Sequence, residues 1–483
     1  MNAAKQASGS FSKQGPDSSQ GPEAVLAAWA TRMRYEDLPA DIIAGMKLLV
    51  RTIIGTAVAG ATADGCADVV AQVREWSGAP EASIWTHGGK VPVHAAALAN
   101  STMARALDIC DFAVPGQHIG SSLVPVVLGM AERAGGLDGR TLISAMAAGA
   151  EIAIRLGNIV RLDGFDPTGV CSIFAPTIAA GRILDLTEKQ MANALALAFN
   201  KAGSSFQSNV DASLAVRVTQ GFVSQDAVIC AQLAQRNITG PKNWLTGVWG
   251  YYHLFCKDVR NDALLIDGLS ERWFARNFGY KTRPQCGATI SSTDAVMELL
   301  RTHPIEPDEV DRIDIRMAAE GPCSLVGSGF TLGDNPQVNG QFNVRYCVAN
   351  AIVRKSVRLD HFTNDSVTDP HVGALAQRIH THLAPELMEG RSELAARVAI
   401  EIRLRNGRIL TCGADGPTGI GDKAKTEAQN LADFYEHVAY GGKPLARDIA
   451  DTIVSQVDRL EEMEDVRDLL PLLAGQGRVT TMR

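Results

Sequence analysis

The stretch VAIEIRLRNGRILT (residues 398–411) decides the fold class, because it alternates apolar and polar side chains and is interrupted by Asn406-Gly407. Alternation with a period of two is typical of a strand that is buried on one face. Asn-Gly between two such runs is the strongest short-range signal for a β-hairpin. A similar run, DRIDIRM, occupies residues 311–317. We therefore predict a small sheet in the C-terminal half of the chain.

Most of the remaining sequence has a helical pattern. Before residue 277, Ala-rich segments repeat their apolar residues about every 3.6 positions, and small residues let helices pack closely. The clearest of these segments are 24–33, 42–60, 67–76, 93–107, 142–160, 174–184, 188–201, 221–236 and 262–269. Further helical patterns lie between the predicted strands and after them, at 288–303, 342–355, 372–383 and 422–473. The fold class is therefore mainly α, with a large discontinuous all-helical domain and a smaller α+β lid domain.

A chain of 483 residues is too long for one compact core. We predict four segments, in this order: a disordered tail (1–21), a helical domain (22–276), an α+β lid domain (277–413), and C-terminal helices that return to the helical domain (414–483).

Composition excludes several classes of function. The net charge is −7 and no Lys/Arg cluster stands out, which argues against nucleic-acid and membrane partners. The longest uncharged run, 112–131, contains two prolines and three glycines and is not a membrane span. The nine cysteines are dispersed and form no C-x-x-C pair, so we predict no zinc or iron–sulfur metal site and a cytoplasmic location. A Gly-rich phosphate loop is absent, which disfavours nucleotide binding, and we predict no cofactor.

Two carboxylates and an imidazole lie within eleven residues, in LDICD (107–111) and at His118. These side chains move protons near neutral pH, and the Pro/Gly loop between them is the kind of connection that carries chemistry. Asp108 and His118 are candidate bases. A structural interpretation is equally open, in which Asp111 is a helix-end carboxylate and His118 lies beside the N-cap of the next helix.

A second group of candidates lies near the predicted domain boundary. Lys281 and Arg283 could stabilise the enolate that forms when a proton is removed next to a carboxylate, or they could be solvated linker charges. Cys286 stands beside these cations, which would favour its thiolate, but no histidine in this stretch could pair with it. Asp166, in GFDPTG (164–169), could belong to the site or to an ordinary turn.

Five blocks of sequence, in chain order, resemble the MmgE/PrpD family, whose members include 2-methylcitrate dehydratase, cis-aconitate decarboxylase and iminodisuccinate epimerase. The blocks are AALAN to LDICD (96–111), QHIGSSLVP (117–125), ITGP (238–241), KTRPQC (281–286) and GQFNVRYCVA (340–349). The resemblance implies a homodimer and metal-free chemistry on a small di- or tricarboxylic acid in the cleft between domains. It implies catalytic roles for Asp108, His118 and Lys281. The candidate substrate-binding residues are Asp111, Asp166, Arg217, Arg283 and Cys286.

The sequence also departs from the family pattern. Cys110 replaces an aspartate, Phe112 a threonine and Asp166 a histidine, and the expected lysine falls on Val216, followed by Arg217. These changes make the site less cationic. They predict a substrate with fewer carboxylates than cis-aconitate or 2-methylcitrate, or one with an amine that Asp166 could pair with.

Three functions are compatible with these observations. The leading one is a cofactor-independent lyase, a dehydratase or decarboxylase that abstracts a proton α to a carboxylate. The second is an isomerase or epimerase that uses the same enolate-like intermediate. The third is a non-catalytic binding protein that keeps the fold of the family.

Overall fold

A computed structural model describes residues 21–389 and 396–474. Except for residue 21, the predicted tail lies outside these residues, as do the last nine residues of the predicted C-terminal segment. The helices of the first part are α1 Pro22–Arg32, α2 Ala40–Gly60, α3 Cys66–Trp76, α4 Val93–Arg105, α5 Ile119–Ala134, α6 Gly139–Gly157, α7 Phe174–Ile183, α8 Glu188–Lys201, α9 Gln207–Val210, α10 Ala215–Gln235, α11 Tyr251–Cys256 and α12 Asp262–Ile266. Those of the second part are α13 Gly287–Thr302, α14 Glu320–Val326, α15 Pro336–Gln341, α16 Val344–Arg354, α17 Asn364–Val367, α18 Pro370–Ala376, α19 Glu427–Ala439, α20 Arg447–Asp458 and α21 Leu470–Leu473.

The strands are β1 Ala82–Ser83, β2 Lys90–Val91, β3 Asp111–Phe112, β4 Gly279–Tyr280, β5 Val310–Met317, β6 Ile379–Leu383, β7 Val398–Leu404 and β8 Ile409–Ala414. The last four form one sheet in the order β6-β5-β7-β8, with β5 and β6 parallel and the other pairs antiparallel. The chain is thus mainly α with some β, as predicted, and the Asn406-Gly407 hairpin is present.

The predicted helix at 372–383 is wrong in its second half. Helix α18 ends at Ala376, and Ile379–Leu383 instead forms strand β6, in register with Ile313–Met317 of β5. Pairing along the sheet overrides the local helical pattern, because strand formation depends on the neighbouring strand more than on intrinsic preference.

Within residues 21–389 and 396–474, α2 is the one helix that is long and apolar enough to cross a membrane, and it lies in the core. Its most apolar 18-residue window has a mean hydropathy of 1.7, and 67% of that window is buried. It packs on α4, α5 and α6 and also on the C-terminal helix α19. This burial is that of a core helix in a globular protein.

The buried apolar side chains form two main clusters. The first joins α1–α8 to the C-terminal helices, through Phe434, Val438, Ile453 and others. The second lies between the four-stranded sheet and α13, α16 and α18, and it includes Val216 of α10. On this basis we propose the same division into a helical domain, a lid and returning helices.

A two-stranded ribbon connects segments that are distant in the sequence. β3 pairs antiparallel with β4, with Asp111 opposite Tyr280, and the Lys281 amide donates to the Cys110 carbonyl over 3.3 Å. Gly279 packs against the Phe112 ring, and a Cβ there would lie 2.5 Å from Cζ of that ring. The ribbon therefore places Lys281 beside the segment that contains Asp108 and His118.

Candidate active site

Arg105, Asp108 and Lys281 form a buried cluster of three charges. Arg105 ends helix α4, and Asp108 follows it in the left-handed region with φ of 54°. The Arg105 guanidinium and the Lys281 ammonium both donate hydrogen bonds to Oδ1 of Asp108. The exposed fractions are 5% for Arg105, 1% for Asp108 and 3% for Lys281. The cluster therefore has an excess of one positive charge in an environment with little water.

The Lys281 backbone is also held from its other side. The Lys425 ammonium donates to the Lys281 carbonyl over 2.9 Å and pairs with Asp433 of α19. The neighbouring amide of Tyr280 donates to the carbonyl of Gly419 over 2.8 Å. The position of Lys281 is thus fixed by both the ribbon and the segment before α19.

His118 is the N-cap of α5, and its hydrogen bonds determine its tautomer. Its Nδ1 lies 2.7 Å from the carbonyl oxygen of Asp111. A carbonyl oxygen can only accept, so Nδ1 carries the proton and Nε2 has the free lone pair. Burial, with further effects of Arg105 and Lys281, lowers the pKa of His118 well below its usual value. The imidazole is therefore neutral at pH 7 and able to accept a proton at Nε2, which makes no hydrogen bond within 21–389 and 396–474.

Asp111 is a carboxylate at a helix end, which is the structural interpretation that the sequence left open. Its Oδ2 accepts the Gly120 amide over 2.8 Å at the start of α5, where the helix dipole favours a negative charge. Burial raises the pKa of its carboxyl group to about 6, although the helix amides oppose this. Asp111 thus acts on His118 through its backbone carbonyl and through the helix start.

Asp166 lies in a loop near this cluster. The Thr168 amide donates to its Oδ1 over 2.8 Å, as in an ordinary turn, and a π-helical turn follows at Thr168–Ser172. Asp166 is only 6% exposed. Burial raises the pKa of its carboxyl group, while Arg105 is close enough to lower it. No ion pair joins Asp166 to another described residue.

The structure does not bring the other two predicted cations into the cluster. The buried Arg217 donates to the Asp64 carbonyl and to Oε1 of Gln337, each over 2.6 Å. Arg283 pairs with Asp294 over 2.8 Å. Both arginines are therefore paired with other groups of the protein, and these pairs connect separate elements of the fold.

Cys286 lies near the cluster, but its thiol is protonated. Burial, together with Asp108, raises its pKa to about 11, although Lys281 and Arg105 lower it. The expectation that neighbouring cations favour a thiolate is therefore overturned. Burial likewise raises the pKa of Cys110 to about 11.

Sequence reasoning missed Arg105 and Gln341. Arg105 uses one nitrogen for Asp108, and its guanidinium lies 5.9 Å from the centre of the Phe342 ring. Its position three residues before Asp108, at the end of the predicted helix 93–107, was the available signal. The Nε2 of Gln341, at the end of α15, is a buried donor without a partner in the described chain, and the Gln341 carbonyl accepts the Cys286 amide over 2.9 Å. Both are polar groups that a ligand could satisfy.

Comparison with known proteins identifies the family. The MmgE/PrpD N-terminal domain matches residues 24–263, and the MmgE/PrpD C-terminal domain matches residues 284–458. A cis-aconitate decarboxylase from Aspergillus terreus (strain NIH 2624 / FGSC A1156) is 23% identical, over 96% of this chain and 98% of the relative. The cis-aconitate decarboxylase of Mus musculus is 21% identical, over 92% of this chain and 91% of the relative. As the resemblance predicted, the chain belongs to the MmgE/PrpD family.

Proposed function

We propose that this protein is a lyase of the MmgE/PrpD type that removes a proton α to a carboxylate of a small di- or tricarboxylic acid. The observation that carries the proposal is a neutral imidazole with a free Nε2, close to a buried cluster that has one excess positive charge. Family membership and the decarboxylase relatives support the same class of reaction.

Each residue has a separate task in this reaction. Arg105 binds a substrate carboxylate with the N–H groups that Asp108 leaves free, and Asp108 keeps the two cations together. His118 Nε2 takes the proton, because it has a free lone pair, whereas Oδ1 of Asp108 already accepts hydrogen bonds from two cations. Lys281 stabilises the negative charge that develops on the carboxylate as the enolate forms. Such preorganised charge is usually the largest contribution to catalysis.

The proposed reaction ends by elimination. In a dehydration, the C–H electron pair becomes the new C=C bond, the C–O bond breaks, and the protonated His118 gives its proton to the departing hydroxide. In a decarboxylation, no α-proton is removed first: the C–C bond to the carboxylate breaks, its electron pair stays on the carbon as the same enolate-like intermediate, and carbon dioxide leaves. A proton taken from solvent through Nε2 of His118 is then added at that carbon. Every step uses a side chain of this chain, so the proposal requires no cofactor. A homodimer and a cytoplasmic location remain predictions.

The test is turnover of a panel of small di- and tricarboxylic acids, including cis-aconitate, followed by proton NMR in D2O. We expect elimination by the native chain and losses of about 100- to 10,000-fold in His118→Gln and Lys281→Met, the range for positioned acid–base groups. Arg301→Met is the control, since its side chain is 75% exposed on α13 and Glu298 is its only ion-pair partner among the described residues.

Other outcomes would contradict the lyase. Incorporation of deuterium at the α-carbon without elimination would indicate the isomerase or epimerase, because the same intermediate would then be reprotonated. Binding of an acid with neither exchange nor elimination would indicate the non-catalytic binding protein. Unchanged turnover in both variants would remove His118 and Lys281 from the mechanism.

A further inference from the structure

Asp166 is a buried carboxylate without a cation. It is 6% exposed, and Thr168 is its hydrogen-bond partner. No lysine, arginine or histidine of the described chain forms an ion pair with it. An unpaired charge is costly to bury, so such a carboxylate either takes up a proton or receives a cation from a ligand.

Arg105 provides the complementary feature nearby. Its guanidinium donates to Asp108 through Nη1, while Nε and Nη2 make no hydrogen bond within the described residues. These two nitrogens form the planar fork that binds a carboxylate with two parallel hydrogen bonds. The loop of Asp166 packs on the loop that leads to His118, since a Cβ at Gly116 would lie 3.5 Å from Cγ of Pro167 and the Ser172 hydroxyl donates to Oε1 of Gln117 over 3.4 Å. In this arrangement Arg105 and Asp166 are close enough for each to affect the pKa of the other.

The charges of these groups limit the ligand. Arg105 and Lys281 are positive, Asp108 and an ionised Asp166 are negative, and His118 is neutral. The group as a whole is therefore uncharged. A ligand that brings only carboxylates would add uncompensated negative charge beside Asp166. A ligand with an ammonium group beside a carboxylate would pair both Asp166 and the fork of Arg105.

We propose that this site takes a small carboxylic acid that also carries a protonated amine, with the carboxylate on Arg105 and the ammonium on Asp166. The inference rests on the proposed function, because it places the substrate at the same cluster. It makes Asp166 the residue that distinguishes amino acids from plain carboxylic acids.

L-Aspartate, D-aspartate and succinate are suitable probes, because aspartate is succinate with one added amine. Isothermal titration calorimetry at pH 7.5 should show that at least one aspartate enantiomer binds the native chain about 10-fold or more tightly than succinate. A factor of this size is expected for a hydrogen bond between charged groups. In Asp166→Asn the preference should disappear, because the amide still accepts from Thr168 but carries no charge.

Two further variants keep the test decisive. Asp166→Ser also retains an acceptor for the Thr168 amide and should lose the preference in the same way if Asp166→Asn folds poorly. Asp163→Asn removes a carboxylate of the same loop whose side chain is 88% exposed, and it should keep the preference. Thermal melts establish that each variant is folded.

Three results would overturn the inference. They are equal affinity for succinate and aspartate, a preference that survives in both Asp166 variants, and no binding of either aspartate enantiomer at millimolar concentration. If Asp166 is instead protonated and donates to a second carboxylate of the ligand, succinate and aspartate should bind with equal affinity, and succinate binding should weaken as pH rises. Binding is measured without turnover. An Asp166-dependent preference in a chain that catalyses no proton exchange would therefore refute the proposed function and leave this inference in place.

Discussion

The three-charge cluster predicts an unusual order of stability among its variants. Asp108 has two cationic partners, whereas Arg105 and Lys281 share this one carboxylate. Lys281→Met leaves a complete Arg105–Asp108 pair, so we expect a loss of about 1.5 kcal/mol, the lower end for a hydrogen bond between charged groups. Asp108→Asn leaves two buried cations unpaired, and breaking a buried ion pair costs about 3–5 kcal/mol.

Part of the larger loss is repulsion, and this can be isolated. Two cations that contact one oxygen lie within roughly 5 Å of each other, and at an effective dielectric constant of about 20 they repel by about 3 kcal/mol. The double variant Asp108→Asn/Lys281→Met removes one of the two cations. It should therefore be more stable than Asp108→Asn alone, although it carries one more substitution.

The assay is equilibrium unfolding in urea, with melting temperatures as a second measure. Arg301→Met is the control and should change the free energy of unfolding by less than about 0.5 kcal/mol, as is usual for exposed ion pairs. If Lys281→Met is as destabilising as Asp108→Asn, or if the double variant is the least stable of all, the charge argument is refuted.

Three other buried features give measurable expectations. In Gly279→Ala the new methyl group would meet the Phe112 ring, so we expect a loss of about 1–3 kcal/mol and reduced activity, whereas Gly287→Ala, with nothing within 4 Å, should be neutral in both assays. Asp111 has a folded-state pKa of about 6, above the unfolded value of about 3.9, so its contribution to stability is lost as pH rises from about 4 to 6. The melting temperature of Asp111→Asn, measured relative to that of the native chain, should therefore be higher at pH 7.5 than at pH 5. Arg155 pairs with Glu151 on its own helix and donates to five carbonyls between 264 and 272. Arg155→Met should therefore lower the free energy of unfolding in urea by about 3–5 kcal/mol. A loss below about 1 kcal/mol would contradict this structural role.

The elements that could be predicted from the sequence are those with a strong local pattern. The alternating strands and the Asn406-Gly407 hairpin lie where the period-two runs placed them. Strands β5 and β7 each bury one face, and β8 alternates between exposed and half-buried side chains. Strand β6 was missed, since it exists through its pairing with β5. The ribbon of β3 and β4 was also not predictable, because two residues on each side are too few for any periodic signal.

For the candidate site, the sequence identified side chains of the right chemistry but not their partners. Lys281 and Asp108 are 173 positions apart and become neighbours only through the ribbon. Arg283 has the same charge as Lys281 and lies two residues away, yet it pairs with Asp294. Nothing in the local pattern distinguishes these two cations, because the difference is which carboxylate the tertiary structure brings to each of them.

The ribbon between β3 and β4 has a consequence for how a substrate reaches the site. Its backbone hydrogen bonds connect the segment before His118 directly to the segment that carries Lys281. Opening the site between these two residues would break those bonds, so we expect them to move as one rigid unit. The path of entry should then open elsewhere, away from the ribbon.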